Sequence, residues 1–143
     1  MLIGIPALLG PEFLALLRAM GHGDEIALVD ANYPAAEHAR RLVRADGHDV
    51  ITVLDAVLTV TPVDDFVPEA LFRAVPANAP ERLDPVHREM ERICAVRAPG
   101  FRLVGLKGDA FYPRVKAAYA VVATSEARLH GNIIIRKGVI RPV

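Results

Sequence analysis

The sequence predicts an α/β fold, with a parallel or mixed sheet covered by helices on its faces. Three observations carry that expectation. Short apolar runs bounded by turn residues, such as Glu25 to Val29, have the pattern of buried strands. Between them lie stretches that read as helices, at a spacing suited to strand–helix–strand crossovers. The 143 residues, 52% hydrophobic and 24% charged, are enough for one domain, spanning 1–143, with a substantial core.

Pro11 after Gly10 opens the first helix, because proline at the first helical position gives up only an N–H that has no partner. Glu12 suits the positive end of the helix dipole, and Phe13, Leu14, Leu17 and Met20 make one apolar face. The helix leads into Met20 to Ala35, MGHGDEIALVDANYPA, the stretch around which the chain is organised. Gly21 and Gly23 admit backbone angles that a side chain would strain, so His22 can project from a tight turn. Asp30 falls at the carboxyl end of the strand that follows, where ligands gather in open α/β sheets.

Residues Ala31 to Arg44 are polar, contain Pro34 and read as a loop with a short extended piece over Leu42 to Ala45, ahead of the Asp46-Gly47 turn signal. Thr52 and Asp55 have capping-box spacing, with aspartate for the usual glutamate, and predict a helix from Val53 to Val60 that Pro62 ends. Its β-branched residues leave a strand as the alternative. Asp64-Asp65 follows, then an extended stretch from Ala70 to Val75. Asp84-Pro85 opens the clearest helix, with charged Arg88, Glu89, Glu91 and Arg92 around apolar Val86, Met90, Ile93 and Cys94. Pro99-Gly100 breaks it. Phe101 to Leu106 reads as a strand, Asp109 as the cap of a short helix carrying Tyr112, and Tyr119 to Ala123 as a further strand. A turn over Thr124 to Gly131 precedes the last strand, Asn132 to Arg136.

Formal net charge is +0 and no basic run stands out, which argues against a nucleic-acid partner and for a small neutral one. Cys94 is the only cysteine, so an intrachain disulfide is excluded and a reducing, cytoplasmic location is expected. The opening residues lack a basic stretch and soon meet proline and glutamate, unlike a signal peptide, and no apolar run approaches the roughly 20 residues that span a bilayer. The chain has no GxGxxG pattern and no phosphate-cradling P-loop, and its five histidines lack close metal-ligand spacing, so neither nucleotide nor metal is expected.

Taken in order, MGHGDEI, VDANYPA, LVRADG, AFYPRVKAAYAVVAT and HGNIIIRKGV resemble the RbsD/FucU family of sugar mutarotases over nearly the whole chain. His-Gly-Asp-Glu, Arg-Ala-Asp-Gly and the Phe-Tyr pair are more similar to its L-fucose branch than to its D-ribose pyranase branch. The resemblance implies a Rossmann-like, RbsD-like three-layer sandwich with a mainly parallel sheet. It also implies no cofactor, assembly into a homo-oligomer such as a decameric ring, and exchange of the α and β anomers of a free monosaccharide.

That chemistry moves only protons. The anomeric hydroxyl loses one, the ring oxygen gains one, the ring opens, and the chain rotates and recloses on the other face. Positioned acids and bases suffice, each worth roughly 10²- to 10⁴-fold. Histidine suits the task because its ordinary pKa, about 6.5, makes both protonation states available near neutrality. By resemblance His22, Asp64 and Tyr112 are the catalytic candidates. Asp30 is expected to accept from sugar hydroxyls or to orient His22, and Asn132 to donate to and accept from a polyol. His130 stands where the family has a tyrosine, and Gly108 where it has an arginine, a cation that neighbouring Lys107 can supply without the planar fork. Those two departures motivate rival readings, a sugar-binding or regulatory subunit without turnover and a D-ribose pyranase-type activity. A flavodoxin-like nucleotide-binding module is the third.

Overall fold

The computed structural model describes all 143 residues. The elements run α1 (Pro11–Ala19), β1 (Glu25–Val29), α2 (Ala35–His38), β2 (Leu42–Ala45), α3 (Val50–Val60), β3 (Leu71–Ala74), α4 (Pro85–Arg97), β4 (Leu103–Leu106), α5 (Gly108–Ala117), β5 (Ala120–Thr124) and β6 (Ile133–Arg136). They form one six-stranded sheet in the order β2-β5-β1-β6-β3-β4. β5 pairs parallel with β1 and β2, and β3 with β4, while β6 runs antiparallel between β1 and β3. Five strands therefore share a direction and β6 alone opposes them, in keeping with the mainly parallel sheet expected.

The two-residue period of a strand divides the core between the faces. Ile26, Leu28, Leu71, Ile133 and Ile135 pack with α1, α3 and α4, whereas Ala27, Val29, Phe72 and Ile134 pack with Ala35 of α2 and with Phe111 and Val115 of α5. The result is a three-layer sandwich. Ile26, Leu28, Ile133, Ile134 and Ile135 are fully buried, each contributing about 1.5–3 kcal/mol relative to exposure.

Three segments differ from the sequence reading. The stretch taken as a loop contains α2, a single turn that starts right after Pro34. Helix α3 begins at Val50, three residues earlier than expected, because Asp49 rather than Thr52 is its cap: the Asp49 carboxylate accepts from the Thr52 N–H at 2.7 Å. The strand alternative falls with it, since Val50, Val53, Leu54 and Val57 bury one helical stripe. Asp109 lies in the first turn of α5, whose N-cap is Lys107.

Beyond α3, residues 62–64 run alongside the end of β6. Val63 bridges Lys137, the Asp64 N–H donates to the Arg136 carbonyl at 3.0 Å, and the Gly138 N–H donates to the Pro62 carbonyl at 2.8 Å. A Cβ at Gly138 would sit 2.5 Å from the Val63 carbonyl oxygen, so only glycine permits this approach. Asp64 is thereby brought to the edge of the sheet where β1 begins.

Candidate active site

At that amino edge, Gly23 takes a left-handed φ of 86° and its N–H donates to the Lys137 carbonyl at 2.8 Å, closing the turn that carries His22. The imidazole is 42% exposed, lies 3.0 Å through Nε2 from Oδ1 of fully buried Asp64, and rests against the ring of Phe66. Asp64 also accepts from Arg136 Nε at 2.7 Å and from the Phe66 N–H at 3.0 Å. Burial alone would raise the Asp64 pKa, but the Arg136 guanidinium, the Phe66 N–H and His22 outweigh it and hold it at about 2. An ionised carboxylate only accepts, so Nε2 of neutral His22 carries the hydrogen and Nδ1 keeps its lone pair. The outcome is a part-exposed imidazole with a buried negative charge behind it. Arg136 also reaches Glu25, Nη1 to Oε2 at 4.0 Å, and Glu25 in turn pairs with Arg114 at 2.7 Å.

At the opposite, carboxyl edge, the Asp30 N–H donates to Asn132 Oδ1 at 2.7 Å and the Asp30 carboxylate accepts from the Asn32 N–H at 3.0 Å. Burial raises the Asp30 pKa against the opposing pull of Asn32, Asn132, Tyr33 and a nearby His130. His130 adopts a left-handed φ of 58°, and its carbonyl accepts from His87 Nε2 at 2.9 Å. Because His87 Nδ1 accepts from the Asp84 N–H at 3.3 Å, this fully buried ring is neutral with its hydrogen on Nε2. Thr124 Oγ1 donates to the Val29 carbonyl at 2.7 Å and accepts from the Glu126 N–H, and Glu126 holds Arg128, so the segment leading to His130 and Asn132 is tightly pinned. Tyr112, exposed on α5, stands beside Tyr33, whose hydroxyl lies 2.8 Å from His38 Nδ1. A cleft of about 500 Å³ opens here, with Asp30, Tyr33 and Thr124 in its lining. An apolar hollow of about 360 Å³ under the N-terminal segment, lined by Leu2, Ile5, Leu9 and Leu14, offers no side-chain polar group and hence no chemistry.

Of the two roles expected of Asp30, one does not hold within a single copy. Asp30 does not orient His22, because β1 lies fully between them, and at the rise of a strand the two edges are roughly 20 Å apart. Asp64 does so instead. The structure brings His22 and Asp64 together at one edge and Asp30, His130, Asn132 and Tyr112 to the other, while Lys107 is exposed at the start of α5. Sequence reasoning missed Arg136, Tyr33 and His38. Arg136 had one signal, a charge closing an otherwise apolar strand; Tyr33 and His38 stood in a stretch read as loop. No group of three or more His, Cys, Asp or Glu side chains is disposed to hold a metal ion.

The sequence model of the RbsD / FucU transport protein family matches residues 3–140. The chain belongs to the RbsD/FucU family. Within that family it is similar to the fucose mutarotase of Bos taurus, 43% identical over 97% of this chain and 94% of that protein. It is likewise similar to the L-fucose mutarotase of Actinobacillus pleuropneumoniae, 41% identical over 97% of each. Among solved RbsD/FucU structures, the fucose mutarotase in complex with L-fucose from Streptococcus pneumoniae superposes with a TM-score of 0.90 at 36% identity, covering 98% of this chain and 100% of that one.

Proposed function

We propose that this chain, working as a single RbsD/FucU domain over residues 1–143, is a sugar mutarotase that exchanges the α and β anomers of L-fucose or a closely related pyranose. The observation that carries the reading is the exposed His22 imidazole backed by the ionised, buried Asp64. Its mutarotase relatives support the reaction class and L-fucose as the sugar.

In this mechanism His22 Nδ1 takes the anomeric O–H proton. Electrons from that O–H bond form the C1 carbonyl as the C1–ring-oxygen bond breaks, and an acid gives the ring oxygen a proton. Rotation about C1–C2 and reversal of these transfers yields the other anomer. Asp64 holds the His22 tautomer and balances the charge it gains, as the aspartate of a catalytic triad does. Tyr112 is the candidate acid, while Asp30, His130, Asn132 and Lys107 bind sugar hydroxyls.

Since the two edges are roughly 20 Å apart in one copy, a span no pyranose bridges, we further propose a homo-oligomer in which His22 of one copy meets the carboxyl edge of its neighbour. A cytoplasmic location fits the lone Cys94, buried with its thiol pKa pushed up to about 12 and so inert. Neither a nucleic acid nor a membrane takes part in the proposal, and no helix is long and apolar enough to cross a membrane.

The test is exchange NMR between the anomeric protons of L-fucose with added protein. Acceleration that disappears in His22→Ala supports the enzyme. Line broadening by binding without acceleration supports the rival sugar-binding subunit, and faster exchange on D-ribose than on L-fucose supports the pyranase-type reading.

A further inference from the structure

The carboxyl edge holds a hydrogen-bonded pair that the proton transfers above leave unused. Tyr33 Oη lies 2.8 Å from His38 Nδ1, and the two rings meet edge-on with centroids 5.3 Å apart. Tyr112 closes the third side, its ring centroid 5.6 Å from that of Tyr33 and 5.7 Å from that of His38. The backbone fixes this meeting. The Tyr33 N–H donates to the Asp30 carbonyl at 3.2 Å, the Ala35 N–H to the Tyr33 carbonyl at 2.8 Å, and the His38 N–H to the Pro34 carbonyl at 3.1 Å. Tyr33 is thus held in the turn that leaves Asp30, and His38 sits one helical turn beyond Pro34.

The hydroxyl is what calls for explanation. A phenylalanine ring would pack as well against Tyr112 and against the apolar cluster of α5, so packing requires neither the Tyr33 oxygen nor an imidazole behind it. Tyr33 is half-buried and lines the same cleft as Asp30. Burial, with Tyr112 and Asp30 adding to it, pushes the phenol pKa up, so the group stays a neutral hydroxyl. Such an oxygen can make more than one hydrogen bond, and His38 uses one. If His38 Nδ1 accepts, the Tyr33 lone pairs are left to accept from a ligand; if it donates, the O–H is left to donate. In both cases the remaining bond points along a direction set by the imidazole. A polar group held in advance loses little freedom on binding, and a site built to hydrogen-bond a hydroxyl rejects analogues that lack it.

We propose that Tyr33 binds a hydroxyl of the free pyranose at the carboxyl-edge half-site, and that His38 is the positioning residue that aims it, so that the pair helps set which sugar is held. This rests on the mutarotase reading and extends it to residues the sequence did not single out.

The test measures anomer exchange against sugar concentration, together with Kd from ligand-observed NMR titration, for wild type, Tyr33→Phe, His38→Leu and the double variant, on L-fucose, L-galactose and D-arabinose. Tyr33→Phe is expected to raise KM and Kd about fivefold on the preferred sugar, the worth of one net hydrogen bond, with kcat held within about twofold. His38→Leu is expected to raise KM in the wild-type background and to add nothing once the Tyr33 hydroxyl is gone, because it acts through that oxygen. The preference among the three sugars should flatten in both single variants. An active wild type with unchanged KM in Tyr33→Phe, or with His38→Leu effects that simply add to it, overturns this proposal and leaves the mutarotase intact. A wild type that neither exchanges nor binds these sugars overturns both.

Discussion

Asp64 and His22, 42 positions apart in sequence, meet at 3.0 Å with the carboxylate fully buried and the imidazole open to solvent. Each lacks what the other supplies. A lone buried carboxylate would be costly, and a lone exposed histidine would have no fixed tautomer. Arg136 completes the balance from the far side of Asp64.

Asp64→Asn keeps the shape and removes the charge. Anomer exchange is expected to fall about a hundredfold or more, because an amide can present either end to Nε2 and no longer balances an imidazolium. Arg136 loses its main partner but remains partly exposed, so the stability loss should stay near 1–3 kcal/mol, read from urea unfolding. Unchanged exchange would remove Asp64 from the mechanism.

Acid stability carries a sign. The folded Asp64 pKa, about 2, lies below the ordinary 3.8, so its contribution is present above about pH 3.8 and disappears as pH falls toward 2. Asp30 acts in the other sense, since its raised pKa means that protonation on acidification favours the folded state. Urea midpoints followed from pH 5 down to 2 should drop more steeply for wild type than for Asp64→Asn.

Gly23→Ala tests the turn. The position has a φ of 86°, and a Cβ there would lie 3.0 Å from the Arg136 guanidinium, so strain and displacement act together. A loss of about 1–2 kcal/mol is expected from the backbone alone, with a parallel loss of exchange activity as Arg136 and Asp64 shift. By contrast, Asp49→Ala removes only the cap of α3 and should cost about 1 kcal/mol while leaving activity per folded molecule unchanged.

A site shared between copies predicts complementation. His22→Ala and Asp30→Asn proteins, each inactive alone, should regain exchange when unfolded together and refolded, with roughly a quarter of the sites intact in a random mixture. No recovery from two variants that are each inactive would remove the shared site, and an active Asp30→Asn protein would remove Asp30 from it.

Much of this was legible in the sequence, and the limits have physical causes. β1, α1 and α4 could be read because a turn glycine, a first-position proline or a capping aspartate marks each boundary locally. α2 is not legible because a one-turn helix has too few residues for a periodicity, and the Asp49 cap of α3 is masked by β-branched Val50 and Ile51. Family resemblance singles out His22, Asp64, Asn132 and Asp30 as candidates, but their division between two edges is not legible in the sequence. It depends on the direction of β6 and on the docking of residues 62–64 beside Lys137, both set by contacts far apart in sequence. Arg136 was visible as a strand residue and silent as a partner for the same reason.

The lone reversed strand has a mechanical consequence. Asn132 precedes β6 at one rim and Arg136 ends it at the other, with three fully buried isoleucines between them locked into register against β1 and β3. Sliding that strand by a single position would carry those isoleucines onto the wrong faces and unseat the groups at both rims together. The two halves of the proposed site are thus clamped to one rod, and damage to its middle should disturb both rims at once.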